Sequence, residues 1–318
     1  MAPKHTFELY IPFPKEPHQC IHLKEQVKSW LFAQGEKSFV EGSLEDLDID
    51  HEFVDSERNF YQELGGDLSP ISVYSYDIEH LQSLHARLMQ NFPTGIKSQE
   101  KSMETSVWLE GWKQSFKPIH TKCFYLYPPW EQGPQPGSSL IPLIIDPGMA
   151  FGTGQHATTQ VCLKALETFK SYANTNKNLR LLDVGTGSGV LAIAAKKIGF
   201  STVHACDIDP NSVLASKANA KANQVPFSVW KGSIPSRDFK TDEGTGAYDL
   251  VVANILFVVL SKIIADLAAE LAPKGKLILS GLLVEQKAQM LEHAREHGLS
   301  CVQEWEQSDW SCLCLEKL

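Results

Sequence analysis

The stretch LLDVGTGSGV, residues 181–190, joins one apolar segment to another through three glycines at alternating positions. Glycine is costly to order, so it is used where the backbone turns sharply or approaches a ligand closely. The residues before the loop suit a buried strand, and those after it begin a helix. Ligands of open α/β sheets bind at the carboxyl ends of the strands, where such a loop would lie. We therefore expect residues 185–189 to form a ligand-binding loop.

The sequence around this loop alternates between strand-like and helix-like segments. Apolar segments such as LRLLDV, TVHACDI and YDLVVANI alternate with amphipathic ones such as PNSVLASKANAKAN and LSKIIADLAAELA. This alternation is typical of a parallel sheet that is covered by helices on both faces. The last segments, LSCVQEWEQ and WSCLCLEK, predict an antiparallel hairpin on one edge of that sheet. The predicted fold class is therefore α/β, with a seven-stranded Rossmann-like sheet.

The first third of the chain has a different pattern. Its segments predict the order strand, helix, strand, strand, helix, strand, which is typical of a small α+β domain of the ferredoxin-like kind. Asp77 is the predicted N-cap of the second helix, since aspartate accepts hydrogen bonds from the first free backbone N–H groups. We expect a sheet that is covered by two helices.

A linker is predicted between these two regions. Trp108, Trp112 and Phe116 recur at helical spacing and form one aromatic stripe, which ends before a proline. Such a stripe is more typical of a core between domains than of a ligand-binding cage. A loop rich in proline and glycine follows it. The predicted divisions are an acidic substrate-recognition domain over 1–105, a linker helix and loop over 106–130, and a cofactor-binding catalytic domain over 131–318.

Two acidic residues near the glycine loop distinguish between classes of cofactor. Asp207 ends the next strand, 22 positions after Gly185, where a carboxylate typically bonds ribose hydroxyls. A dinucleotide site needs G-x-G-x-x-G facing a pyrophosphate, whereas this loop reads G-x-G-x-G and follows Asp183. A carboxylate at that position would repel a pyrophosphate and attract a cation. S-adenosylmethionine has a ribose, a sulfonium and an ammonium group and no phosphate, so the pattern favours it over NAD.

Asn254 interrupts an apolar strand at its carboxyl end. One interpretation is an N-cap for the helix that follows. The other is a hydrogen-bond acceptor that orients an amine beside the cofactor. This position resembles the Asn-initiated loop of many enzymes that methylate amines, and the resemblance favours the second interpretation.

Charge is distributed unevenly along the chain. Residues 1–105 carry 18 acidic and 9 basic side chains, whereas residues 106–318 carry 20 of each. Ten carboxylates fall between Glu41 and Asp67. This segment is either a solvated surface or a docking face for a basic partner. In both cases it disfavours direct binding of nucleic acid.

The remaining composition excludes several classes of protein. The seven cysteines are scattered and form no CxxC pair, which predicts reduced thiols in a cytoplasmic protein. The chain begins without a signal-peptide pattern, and no apolar segment reaches membrane-spanning length. His18, Cys20 and His22 stand close together, but without a matching second cluster they do not indicate a zinc site. We expect neither a metal nor a membrane partner.

Several segments in order closely resemble the bacterial ribosomal protein L11 methyltransferases: DPGMAFGTGQHATT, LLDVGTGSGVLAIAA, DIDP, VVANIL and SGLLVEQ. WLEGWKQSFKPI resembles the interdomain linker of that family, and DWSCLCLEKL its last strand. The resemblance covers about residues 106–318. It implies S-adenosylmethionine as the cofactor and a cover over its methionine end, formed by Phe151 and the turn at 152–154. The residues that it implies in cofactor binding are Thr159, Gly185, Gly187, Asp207 and Asn254.

Three further points follow from the resemblance. His156 is more readily a capping or packing residue than a general base. Ala157 stands where the family usually has proline. The segment NILFVVL replaces a smaller segment that contains proline, at the predicted entrance for the acceptor.

The implied activity is S-adenosylmethionine-dependent N-methylation of lysine and/or N-terminal amines of ribosomal protein L11, by a monomer in the cytoplasm. The partner would be a basic ribosomal protein. Two alternatives remain open: the same chemistry on another protein or a small amine, and a cofactor-binding module without turnover. The intact GTGSG loop, Asp207 and Asn254 argue against the second alternative.

Overall fold

Two compact units divide the chain, Met1–Phe116 and Lys117–Leu318. The computed structural model describes residues 5–13, 23–24, 26–31, 34, 36, 39–41, 70–75, 77–93, 96, 98–104, 116–146, 154, 156–234 and 248–318. The predictions for Trp108, Trp112, Phe151, residues 18–22 and residues 42–67 of the acidic segment lie outside the described residues. Within the described part of the chain, no helix is long and apolar enough to cross a membrane.

The first unit contains a four-stranded antiparallel sheet. Its elements are β1 His5–Ile11, β2 Phe39–Glu41, β3 Ile71–Ser75, α1 Ile78–Asn91 and β4 Gln99–Glu104. Residues 23–24 and 26–31 are also helical. The strand order β2-β3-β1-β4 is that of a ferredoxin-like fold and confirms the prediction. The Asp77 side chain accepts hydrogen bonds from the backbone N–H groups of Glu79 and His80, so it caps α1 as predicted.

The second unit begins with a small three-stranded sheet that the sequence pattern did not predict. Its strands are β5 Ile119–His120, β6 Phe124–Tyr127 and β7 Ile141–Ile144. β5 pairs with β6 antiparallel, and β6 pairs with β7 parallel. The prediction placed residues 119–127 in the linker because four alternating residues are a weak signal for a strand. Phe124 and Leu126 nevertheless point into the core and are buried.

A seven-stranded sheet forms the centre of the second unit and confirms the predicted fold class. Its strands are β8 Arg180–Val184, β9 Thr202–Asp207, β10 Ser228–Lys231, β11 Tyr248–Asn254, β12 Leu271–Leu283, β13 Leu299–Gln307 and β14 Trp310–Lys317. Their order is β10-β9-β8-β11-β12-β14-β13. The strands from β10 to β12 are parallel, and β14 is antiparallel to both of its neighbours. The terminal hairpin thus lies on one edge, as predicted.

Helices cover this sheet, and two separate apolar cores lie within the unit. The helices are α2 Ala157–Glu167, α3 Lys170–Thr175, α4 Val190–Ile198, α5 Pro210–Ala222, α6 Phe257–Glu270 and α7 Lys287–Glu296. The central pairings Val184↔Cys206 and Ala253↔Val184 bring the carboxyl ends of β9, β8 and β11 side by side. The glycine loop, Asp207 and Asn254 therefore lie together at the carboxyl ends of these parallel strands.

Candidate cofactor-binding site

The glycine loop lies against the end of β9. The backbone N–H groups of Gly185 and Thr186 donate to the Cys206 carbonyl at 2.9 and 3.0 Å. The φ angles of Gly185, Gly187 and Gly189 are 74°, 53° and 83°. Residues other than glycine rarely adopt positive φ angles of this kind. A Cβ on Gly189 would lie 2.5 Å from Ser216 Oγ. The loop conformation therefore depends on glycine, as the sequence suggested.

Asp207 is held by this loop. One carboxylate oxygen accepts from the Gly187 N–H at 3.0 Å, and the other accepts from the Asp209 N–H at 2.9 Å. Charge-assisted bonds of this kind are stronger than those between neutral groups. The half-buried carboxylate keeps further lone pairs, so it can also accept from a ligand.

Asp183 is a buried carboxyl group below the loop. Its Oδ2 accepts from Thr186 Oγ1 at 2.7 Å and from the Ala192 N–H at 3.2 Å. Its Oδ1 is buried and has no hydrogen-bond partner among the described residues. Burial raises the pKa of Asp183 to about 7, the bonds from Thr186 and Ala192 lower it, and the charge of Asp207 raises it further. A nearby cation would favour the ionised form.

Asn254 lies at the end of β11 and is 7% exposed. Its Nδ2 is 3.5 Å from Thr159 Oγ1, the only hydrogen bond of this side chain within the described part of the chain. Its Oδ1 is buried and without a partner there. The following helix, α6, has Leu256 at its N-cap position and no side-chain cap, so the capping interpretation of Asn254 is wrong. The structure thus has a buried acceptor oxygen at the carboxyl end of the central strand β11.

Gly281 was not among the predicted site residues, yet it fixes the chain after Asn254. It has a φ of 87° at a bulge in β12. A Cβ here would lie 2.3 Å from the Ile255 carbonyl oxygen. The Ile255 N–H donates to the Ser280 carbonyl at 3.1 Å. A glycine inside an apolar strand was the sequence signal for this close approach.

His156 caps α2. Its Nδ1 accepts from the Thr158 N–H at 3.3 Å, and its ring packs edge-on against Trp310 with centroids 4.9 Å apart. These contacts agree with the predicted capping and packing role.

The structure brings the described candidate residues together in two contacts. Gly187 bonds Asp207, and Thr159 lies beside Asn254. Gly185 lies between them, since β8 is flanked by β9 and β11. Phe151 is outside the described residues, so its position stays a prediction. Thr186, which bonds Asp183, was missed because its role depends on the folded loop.

Among the described residues, the buried side chains Asp183 and Asn254 and the half-buried Asp207 place acceptor atoms at the carboxyl ends of these strands. The carboxylates of Asp183 and Asp207 and the Asn254 oxygen suit a ligand with positive charge and hydroxyl groups. They would repel a pyrophosphate. The residues present therefore fit S-adenosylmethionine. The described residues contain no group of three or more His, Cys, Asp or Glu that could hold a metal ion.

Comparisons with known proteins agree with this geometry. The ribosomal protein L11 methyltransferase (PrmA) family matches residues 23–318. A ribosomal protein L11 methyltransferase of Geotalea daltonii is 36% identical over 250 residues, 74% of this chain and 77% of that protein. One from Staphylococcus saprophyticus is 30% identical over 284 residues, 85% of this chain and 88% of that protein.

Other alignments are shorter. A Geobacter sulfurreducens ribosomal protein L11 methyltransferase is 42% identical over 211 residues, and the chain spans 64% of the length of this relative. The crystal structure of a ribosomal protein L11 methylase from Lactobacillus delbrueckii subsp. bulgaricus superposes with a TM-score of 0.56 and 31% identity. The superposition covers 64% of this chain and all of that one. Because the family match extends over nearly the whole chain, this chain belongs to the ribosomal protein L11 methyltransferase family.

Proposed function

We propose that this chain is an S-adenosylmethionine-dependent N-methyltransferase that acts on lysine and/or N-terminal amines of ribosomal protein L11. The observation that carries the proposal is the Asn254 oxygen, which is buried and unpartnered among the described residues at the edge beside the glycine loop. An unused acceptor in such a position costs stability unless a ligand satisfies it.

The cofactor is S-adenosylmethionine, and the loop edge would hold it. Asp207 would accept from the ribose hydroxyls, and Asp183 would lie towards the cationic methionine end. Gly185 and Gly187 allow the backbone to approach the ligand closely. Thr159 would contact the cofactor at the same place, and Phe151 remains the predicted cover. When bound, S-adenosylmethionine supplies an electrophilic methyl group on a cationic sulfur.

The acceptor amine must be neutral to react. A free lysine has a pKa of about 10.4, so forming its neutral amine at pH 7 costs about 4.6 kcal/mol. Burial and a nearby positive charge lower the pKa of such an amine. Asn254 Oδ1 would accept one N–H of the amine and so aim its lone pair at the methyl group. Alignment, rather than a dedicated base, is the main contribution of the chain.

The protein partner would bind through the acidic first third. Its ten carboxylates between Glu41 and Asp67 would attract a basic ribosomal protein. In this proposal residues 1–105 select the substrate, residues 106–130 link the domains, and residues 131–318 perform the chemistry. The enzyme acts as a cytoplasmic monomer without direct nucleic-acid contact.

Incubation of the full-length chain with labelled S-adenosylmethionine and purified ribosomal protein L11, followed by peptide mass spectrometry, tests the activity. We expect each added methyl group to raise the mass of a peptide by one CH₂ unit, on lysine or N-terminal amines. The Asn254→Ala variant is the control for contaminating enzymes. Methylation of small amines alone, or cofactor binding without any transfer, would contradict the proposal.

A charge reversal in the full-length chain tests the docking role. Asp46→Lys with Asp48→Lys should raise KM for the ribosomal protein severalfold at low salt and less at high salt. The matched control is Glu292→Lys with Glu296→Lys, which reverses two exposed carboxylates on α7. Equal effects of the two pairs would show a general charge effect instead of a docking face.

A further inference from the structure

Helix α5 and its C-cap residue, Asn223, bury a polar stripe. Ser212, Ser216, Asn219 and Asn223 are 0–7% exposed and follow one another at spacings of four, three and four residues. The neighbouring helix α4 instead buries valine, leucine, isoleucine and alanine. Asparagine is seldom buried unless its amide is hydrogen-bonded. The stripe therefore indicates specific partners for α5.

Asn223 bonds the end of β7. Its Oδ1 accepts from the Ile144 N–H at 3.0 Å, and its Nδ2 donates to the Ile144 carbonyl at 2.5 Å. The side-chain amide thus takes the place that a neighbouring strand residue would have in a sheet.

Asn219 makes the same kind of pair one turn away and adds one bond. Its Oδ1 accepts from the Asp146 N–H at 2.9 Å, and its Nδ2 is 3.4 Å from the Asp146 carbonyl. The same Nδ2 donates to the Ser188 carbonyl at 2.9 Å. Ser188 belongs to the glycine loop, so one side chain joins that loop to the segment that follows β7.

We propose that Asn219 is a positioning residue for the cofactor, an inference that rests on the cofactor site proposed above. Ser188 stands between Gly187, whose N–H bonds Asp207, and Gly189, which begins α4 in a left-handed conformation. Glycines on both sides leave this peptide free to adopt several orientations. The bond from Asn219 selects one of them, so the loop is ordered before the cofactor binds, and binding does not have to order it.

Asn223 provides the matched control, because it bonds β7 and, among the described residues, makes no side-chain hydrogen bond to the glycine loop. Calorimetry on the full-length Asn219→Ala and Asn223→Ala variants would measure Kd for S-adenosylhomocysteine. We expect Asn219→Ala to weaken binding about tenfold and Asn223→Ala less than twofold. Both should lower Tm by similar amounts. In steady state, Asn219→Ala should raise KM for the cofactor and leave kcat within about twofold.

Asn219→Asp is the second variant in case the alanine variant does not fold. It keeps the volume and the acceptor for the Asp146 N–H and removes the donor to Ser188. It should also weaken cofactor binding by about tenfold or more. Equal Kd values for the Asn219 and Asn223 variants would overturn the positioning role.

Asp207→Ala, measured in parallel, separates this outcome from a failure of the cofactor site itself. If Asp207→Ala weakens binding and the Asn219 variants do not, only the positioning role is lost. If none of these variants changes Kd, the assigned cofactor site is also wrong.

Discussion

Two pairs of polar side chains, one at each end of the seven-stranded sheet, differ in their hydrogen bonding: Asp183 with Asn254, and His204 with Tyr248. At the carboxyl end, Asp183 Oδ1 and Asn254 Oδ1 are buried without partners among the described residues. Towards the amino end, the Tyr248 hydroxyl and His204 Nδ1 are 2.7 Å apart. The backbone N–H of Arg180 donates to the Asp249 carboxylate at 2.8 Å. The Arg180 guanidinium lies 5.2 Å from the centre of the Tyr248 ring.

We infer that the open acceptors serve a ligand, whereas the His204–Tyr248 pair serves the fold. Burial, and then the charge of Arg180, lowers the pKa of His204. Burial, and then the charge of Glu270, raises the pKa of Tyr248 to about 12. The His204–Tyr248 pair is therefore neutral around pH 7, and its bond is made within the protein. The open acceptors at the carboxyl end have unused capacity, so substitutions there should change binding and catalysis.

Asn254→Ala should have the largest effect. Removal of one group that orients the reacting atoms typically costs on the order of 100-fold in kcat. We expect a fall of about that size in single-turnover methylation of ribosomal protein L11, with a much smaller change in cofactor Kd. If Tm falls so far that partial unfolding accounts for the lower kcat, the effect is one of stability. The contrast between the two ends would then be lost.

Asp207→Ala should have the second-largest effect, a loss of about 1.5–3 kcal/mol of cofactor binding free energy. Asp249→Ala at the opposite end is its matched control, since each aspartate accepts from a backbone N–H. Calorimetric titration with S-adenosylhomocysteine should show weaker binding for the first variant alone. Similar Kd values for both variants would contradict the assigned ribose role.

Asp183 should make cofactor binding depend on pH. The raised pKa of about 7 means that this carboxyl is protonated below pH 7 and ionised above it. A cationic ligand prefers the ionised form, so affinity should be about tenfold lower at pH 6 than at pH 8. Fluorescence titrations at both values would measure this, and Asp183→Asn should abolish the dependence.

The same group affects the stability of the cofactor-free protein in the opposite direction. Its folded-state pKa lies above the unfolded value, so its contribution is complete below about pH 4 and is lost as pH rises through about 7. In urea unfolding, the free energy of unfolding of Asp183→Asn should decrease less over this pH range than that of the wild type. An identical pH profile for wild type and variant would indicate that another group is responsible.

Tyr248→Phe should have the smallest effect, limited to stability. Loss of the bond to His204 costs about 1 kcal/mol, which lowers Tm by about 2–4 °C for a unit of this size. Calorimetric melting measures the change. A clear fall in kcat or cofactor affinity would show that this end also serves function.

The sequence predicted most of this arrangement because the relevant patterns are local. The strand that ends at the glycine loop and the acidic end of β9 are each visible within a few residues. The partners of Asn219 and Asn223 could not be predicted in the same way. Ser188 and Asp146 lie 31 and 73 positions from Asn219, and Ile144 lies 79 positions from Asn223. The buried stripe on α5 was visible as helical spacing of polar residues, but such a stripe usually faces water. β5 and β6 were missed because their short segments gain stability only by pairing.

The place of β14 in the sheet has a consequence for synthesis on the ribosome. This strand lies between β12 and β13, so Leu313 and Leu315 complete the core beneath strands that are translated earlier. Because chains emerge from the amino end first, the earlier strands cannot complete that core until residues 310–317 have been made. Until then β12 has an unpaired edge, which is a hazard for aggregation. We therefore expect the second unit to complete its fold late, and a stalled nascent chain lacking β14 to remain sensitive to proteases.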